Sequence, residues 1–171
     1  MKKSYIILII ILIAAMVIGY FAYTQYNILK TQESIRASQE LKDNATTYFD
    51  QAVDLENAGD HSGAITMYQK SIDNARRVLA SDNHALSQAS GVYHDYLDNE
   101  IRLLEKMIQL IEYKIYLNKI LTNSLNTGQE KVEPGVLTPY IDNLTREVAD
   151  LKEEENRIIR DNPDEFRFLN P

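Results

Sequence analysis

Three histidines, His61, His84 and His94, are the only imidazoles in the chain, and it contains no cysteine. Thiolate nucleophiles and cysteine metal sites are therefore excluded. His94 and Asp98 stand four residues apart and fit one face of a helix. Two ligands do not make a zinc site, so the expectation is a surface pair. The densest carboxylates are Asp95, Asp98 and Glu100, and Glu153 to Glu155. Lacking the tight oxygen-rich loop that calcium demands, they read as solvated helix faces. No Gly-rich phosphate loop, Gly-x-Ser-x-Gly elbow or His-Glu-x-x-His pair occurs. Tyr93, Tyr96, Tyr113, Tyr116 and Tyr140 read as rings at the edge of a core with their hydroxyls toward water, not as a ligand cage. Two sequons, Asn44-Ala45-Thr46 and Asn143-Leu144-Thr145, are glycosylation acceptors if the body lies outside the cell, although both fall within predicted helices. The inventory yields no catalytic, cofactor-binding or metal-binding residue, and the expectation is a protein that is not an enzyme.

What must position these residues is a chain of 171, with 18 Lys and Arg against 25 Asp and Glu and a net charge of −7. That balance argues against a nucleic-acid partner, which calls for a basic footprint. Only Lys2 and Lys3 carry charge before Lys30. Tyr5 to Tyr23 are nineteen uncharged residues, and a helix of that length matches a hydrocarbon core of about 30 Å. Tyr20, Tyr23 and Tyr26 supply rings for an interfacial belt. A cleaved signal peptide shares the basic start and apolar run, but this run exceeds a typical apolar region of about 7–15 residues and no clean Ala-x-Ala site follows. Residues 5–26 are thus expected to be a signal-anchor in contact with lipid. The two lysines bias residues 1–4 to the cytoplasm and the body to the outside.

Beyond the anchor, an all-α bundle of about four helices is expected over 27–162. Ile35, Leu41, Ala45, Tyr48, Ala52 and Leu55 form a first helical face, ending at Ala58-Gly59-Asp60, where glycine suits a left-handed cap and Asp60 or Ser62 can begin the next helix. Ala64, Ile65, Tyr68, Ile72, Ala75 and Leu79 form a second face that stops near Ser81-Asp82-Asn83, giving a hairpin over 40–81. A long helix is predicted over 84–126, with Gly91 a weak internal break. Leu97, Ile101, Leu104, Ile108, Ile111 and Ile115 line one stripe of it, and Leu103, Met107, Leu110, Leu117 and Leu121 a second, with Lys114 in the gap. So wide an apolar face belongs at the centre of a bundle, and Asn118, which interrupts the first stripe, either specifies register at some cost in stability or sits at the wetter edge. Asn126-Thr127-Gly128 to Pro134-Gly135 reads as a loop. Thr138 is then expected to cap a last helix over 138–161 with Pro139 in its first turn. Its face, Leu137, Ile141, Leu144, Val148, Leu151 and Ile158, skips Glu155, and the charge-rich 152–160 end reads as solvated. Coiled-coil self-association through this helix is a variant. Residues 163–171 are expected to be a flexible tail unless Phe166, Phe168 and Leu169 dock.

The segment 44–77, NATTYFDQAVDLENAGDHSGAITMYQKSIDNARR, resembles a single tetratricopeptide repeat. Tyr48 matches the large residue of the first helix, Ala52 the small one, Gly59 the turn glycine, Ala64 the tightly packed alanine of the second helix and Tyr68 the aromatic after it. Ser71, Arg76 and Leu55 depart from the pattern, and no second copy follows. The hairpin with Tyr93, Tyr96-Leu97 and Leu103-Leu104 is also similar, more weakly, to the microtubule-interacting and trafficking domain. Either resemblance implies protein interaction. The expected function is a membrane-anchored interaction or scaffold domain with an unknown protein partner. An extracytoplasmic ligand-binding or sensory bundle is the alternative.

Overall fold

The computed structural model describes residues 2–127 and 134–169. It is helical, with no strand among the described residues: α1 (Lys2–Asn57), α2 (His61–Leu86), α3 (Val92–Thr127) and α4 (Thr138–Asp161), with single 3-10 turns at Pro134–Val136 and Arg167–Leu169. The expected loop residues Asn126 and Thr127 close α3, while residues 128–133 lie outside the described residues.

α1 is one helix of 56 residues, about 84 Å long. No proline occurs before Pro134 and Gly19 is the sole glycine before Gly59, so nothing in the sequence breaks it. Thr24, Thr31 and Thr46 return their hydroxyls to the carbonyls of Tyr20, Asn27 and Lys42, hiding polarity within the helix. Side chains from Ile11 to Tyr23 are exposed, and the helix is long and apolar enough to cross a membrane. From Ile28 onward it packs against the bundle.

The chain reverses after Asn57 through Gly59, at φ +81°. The Asp60 N–H donates to the Leu55 carbonyl at 2.9 Å and the Gly59 N–H to that of Glu56 at 3.0 Å, the paired bonds of a Schellman cap. Asp60 then opens α2, its Oδ1 accepting from the Gly63 N–H at 2.9 Å. A Cβ at residue 59 would meet nothing within 4 Å, so the cost of a side chain there is conformational alone. Gly59→Ala is expected to destabilise the body by about 1–2 kcal/mol, read from the midpoint of urea unfolding.

Two expected boundaries move. α2 continues past Ser81-Asp82-Asn83 to Leu86 because Asp82 faces inward and the Asn83 amide bonds to the Leu79 carbonyl without leaving the helix. His84 consequently stands in the last turn of α2, and the long helix starts at Val92, after Gly91 at φ +58° makes a full break. Thr138 does not cap α4: Leu137, buried and already helical at φ −86° and ψ −23°, holds the N-cap position, so the turn begins one residue early.

α2 packs between α1 and α3, and α4 lies chiefly against α3. Three apolar clusters follow one another away from the anchor. Ile35, Ala85, Tyr93, Tyr96, Leu97 and Phe166 form the first, Ala45, Ala75, Val78 and Leu104 the second, and Ala52, Ala64, Tyr68, Ile72 and Ile111 the third. Within the expected tail, Phe166, Phe168 and Leu169 dock onto the bundle. Phe166 is 1% exposed, with its ring 5.5 Å from that of Tyr93 and 5.1 Å from that of Tyr96, and Phe168 and Leu169 pack beside it. Residues 170 and 171 lie outside the described residues.

Candidate functional site

Two polar layers are set into this apolar core. In α1, Ile35, Ser38, Lys42, Ala45, Phe49 and Ala52 fall at alternating spacings of three and four, one helical face. The same periodicity in α2 carries Asp82 between Val78 and Ala85, and in α3 carries Glu100 between Tyr96 and Leu103. In α4, Glu155 occupies the skipped position of its apolar stripe. Each helix thus aims one charged side chain into the first layer.

They converge in the first layer. Lys42 Nζ lies 2.7 Å from Glu100 Oε1, pairs with Glu155 Oε1 and reaches the Tyr96 hydroxyl at 3.3 Å. The Tyr96 hydroxyl in turn donates to Glu155 Oε1 at 3.1 Å. Glu100 and Glu155 are 2% and 6% exposed. These values overturn the solvated reading of Glu100 within its acidic group and of Glu155 at the end of α4. Burial works against the Lys42 ammonium, but the attraction of Glu100 and Glu155 outweighs it and holds the group above the ordinary lysine range. Glu100 is raised, first by burial and then by Glu155, with Lys42 opposing. Asp82, 1% exposed, is pushed up to about 8 by burial and by the negative charge of Glu100. Ser38 lies close enough to favour its ionised form, yet among the described residues neither Asp82 oxygen nor Ser38 Oγ has a hydrogen-bond partner. With one cation among three buried carboxyl groups, the surroundings favour the protonated form of Asp82.

The second layer lies at the hairpin end. Glu56 accepts from the Tyr68 hydroxyl at 2.7 Å, from Asn118 Nδ2 at 3.1 Å and from Lys114 Nζ at 3.3 Å. Burial would raise its carboxyl, and these three donors together bring it below the usual range. Asn118 is completely buried, with Oδ1 2.8 Å from His61 Nδ1, which corrects its expected place at a wet edge. Five polar side chains, Glu56, His61, Tyr68, Lys114 and Asn118, meet there.

The other sequence candidates separate. Ala52, Ala64 and Tyr68 pack together, but with Phe49; Tyr48 is half-buried under Lys70 Nζ, 5.4 Å from its ring centre. Gly59 turns the chain, as described. Tyr93 and Tyr96 are core residues with internally bonded hydroxyls, not edge rings facing water: Tyr93 donates to the Glu165 carbonyl at 2.9 Å and accepts from Gln32 Nε2 at 2.6 Å. Tyr113, Tyr116 and Tyr140 are exposed, with Tyr113 stacked on Tyr140 at 6.0 Å. His94 sits 3.7 Å from Asp95, not against Asp98. Asn44 is half-buried in α1, and exposed Asn143 donates to Glu147 at 2.6 Å. Among the described residues, no group of three or more His, Asp or Glu side chains is placed to hold a metal ion.

Compared with protein families, with curated proteins and with solved structures, the chain matches none.

Proposed function

We propose that the chain is a single-pass membrane protein whose helical body holds protein partners at the membrane surface. The observation that carries this reading is the continuity of α1, which passes from the exposed apolar run into the packed bundle without a break. Ile28, the first residue of α1 in the core, follows Tyr23 by only five residues, about 8 Å of helix. A body attached this way stands directly above the headgroups, and Lys2 and Lys3 favour its placement outside the cytoplasm. The hairpin of α1 and α2 is read as a solitary tetratricopeptide-like unit, in which Ala52 and Ala64 allow close helix approach and α3 covers the side a second repeat would occupy. The polar layers are read as structural, fixing which helix faces meet.

The test uses the full chain in its native membrane. It is expected to resist carbonate extraction, to be digested by protease added to intact cells, and to crosslink in a complex larger than one chain. Release by carbonate, protection until lysis, or a species of monomer mass alone would overturn the reading.

A further inference from the structure

One surface of the body is strongly one-sided in charge. α3 and α4 run antiparallel and leave an open groove of about 940 Å³ between them. It is lined by the carboxylates of Asp95, Asp98, Glu105, Glu147, Asp150 and Glu154. Only Arg102 and Lys106 oppose them, and Lys106 is already paired with Glu147 across the groove at 2.7 Å. Arg157 engages Glu154 and His94 lies near Asp95, while Asp98, Glu105 and Asp150 take part in no ion pair among the described residues. The apolar side chains of Leu151 and Ile158 are half-buried in its wall.

A second, independent observation concerns Asn99, which also lines the groove. It is 3% exposed, and its Nδ2 donates to the Leu151 carbonyl at 2.9 Å. Among the described residues its Oδ1 has no hydrogen-bond partner. A buried amide oxygen without a donor costs about 1–3 kcal/mol, and a donor admitted to it as the groove is occupied would remove that cost.

We infer that this groove is the docking site for a cationic amphipathic helix of a partner protein, one that sets Lys or Arg against the carboxylates and an apolar side chain against Leu151 and Ile158. The inference rests on the interaction reading above and names its surface. Residues 95–106 of α3 and 147–158 of α4 border the groove for about 17 Å, three turns of helix. A helix laid between two antiparallel helices packs along both, and its apolar stripe meets the groove wall while its flanking cations meet the rim. Charge complementarity selects the sign of the occupant and rejects acidic helices.

The probe is a synthetic amphipathic helix of Leu and Lys, with a Leu and Glu helix of the same pattern as control. The full chain is held in nanodiscs of zwitterionic lipid, so that the peptide is not drawn to the bilayer by charge. The Leu/Lys helix is expected to bind, more weakly as salt is raised, and the Leu/Glu helix is not. Joint replacement Asp98→Asn, Glu105→Gln and Asp150→Asn is expected to weaken binding at least tenfold. The same number of neutralisations on α1, Glu40→Gln, Asp50→Asn and Asp54→Asn, changes it less than twofold. The reversed pair Asp98→Lys and Asp150→Lys, at exposed positions, brings the lining to four acidic and four basic side chains and abolishes the preference for the Leu/Lys helix over the Leu/Glu helix. Absence of binding, equal losses from both neutralised sets, or a second copy of this chain displaced by the peptide would overturn the inference. The native-membrane complex separates the two claims: if it persists in the groove-neutralised chain, the groove assignment falls and the interaction reading stands.

Discussion

Lys42→Met is expected to destabilise the body by about 3–5 kcal/mol at pH 7.5, the usual consequence of leaving buried charge without its partner. Among the described residues the lysine is the only cation paired with Glu100 and Glu155, and it also supplies the favourable charge acting on Asp82. Without it the folded state retains carboxyl groups that must take up protons to remain buried. The loss should therefore shrink on acidification toward pH 5, and adding Glu100→Gln and Glu155→Gln to Lys42→Met should restore much of the stability. The parent protein carries the same signature in milder form. Asp82 ionises near pH 4 in an unfolded chain and at about 8 in the fold. The native state therefore keeps a proton that the unfolded state has released throughout that window. Stability from this group is fully present below pH 4, declines as pH rises by up to about 1.4 kcal/mol per pH unit, and levels off above 8. Asp82→Asn should flatten the slope and raise the melting temperature at pH 8. Urea midpoints of the parent and these variants across pH 5 to 8.5 would decide the matter; a Lys42→Met chain as stable as the parent would sink it.

Phe166→Ala is expected to cost about 3 kcal/mol. The ring is almost wholly enclosed by Tyr93 and Tyr96, and truncating a buried phenylalanine removes about 3–5 kcal/mol of packing. The lower end applies because 164–169 can detach alone, which limits the loss to the free energy of docking. Detachment would also take away the Glu165 carbonyl that the Tyr93 hydroxyl uses. Hydrogen exchange should thus show the 164–169 amides losing protection while those at the centre of α2 keep theirs. Uniform loss across both regions would contradict a locally docked segment.

The turn at Gly59-Asp60 was legible because its chemistry is local: a left-handed glycine and a carboxylate cap need no distant partner. The apolar run of α1 was legible for the same reason. Lys42, Asp82, Glu100 and Glu155 were harder to read, although each stands at a core position of its own helix. Periodicity places a side chain on a face, but not at a height relative to another helix. Taken singly, a charge in an apolar stripe reads as a wet edge. Only the axial register of all four helices turns four edges into one enclosed layer. Asn118 was misread on the same ground, since its partners Glu56 and His61 lie 62 and 57 residues away. Phe166 was visible as an aromatic in a short polar end, but the cavity it fills belongs to Tyr93 and Tyr96.

The unbroken course of α1 also fixes rotational phase. In a continuous helix each residue turns the axis by about 100°, so the azimuth of the bundle is locked to that of the segment below Ile28. Whatever grips one side of that segment thereby chooses which flank of the body faces outward. A single residue inserted between Tyr23 and Ile28 would lift the body by only about 1.5 Å but swing it through more than a quarter of a circle. Four inserted residues would nearly return it to its starting bearing.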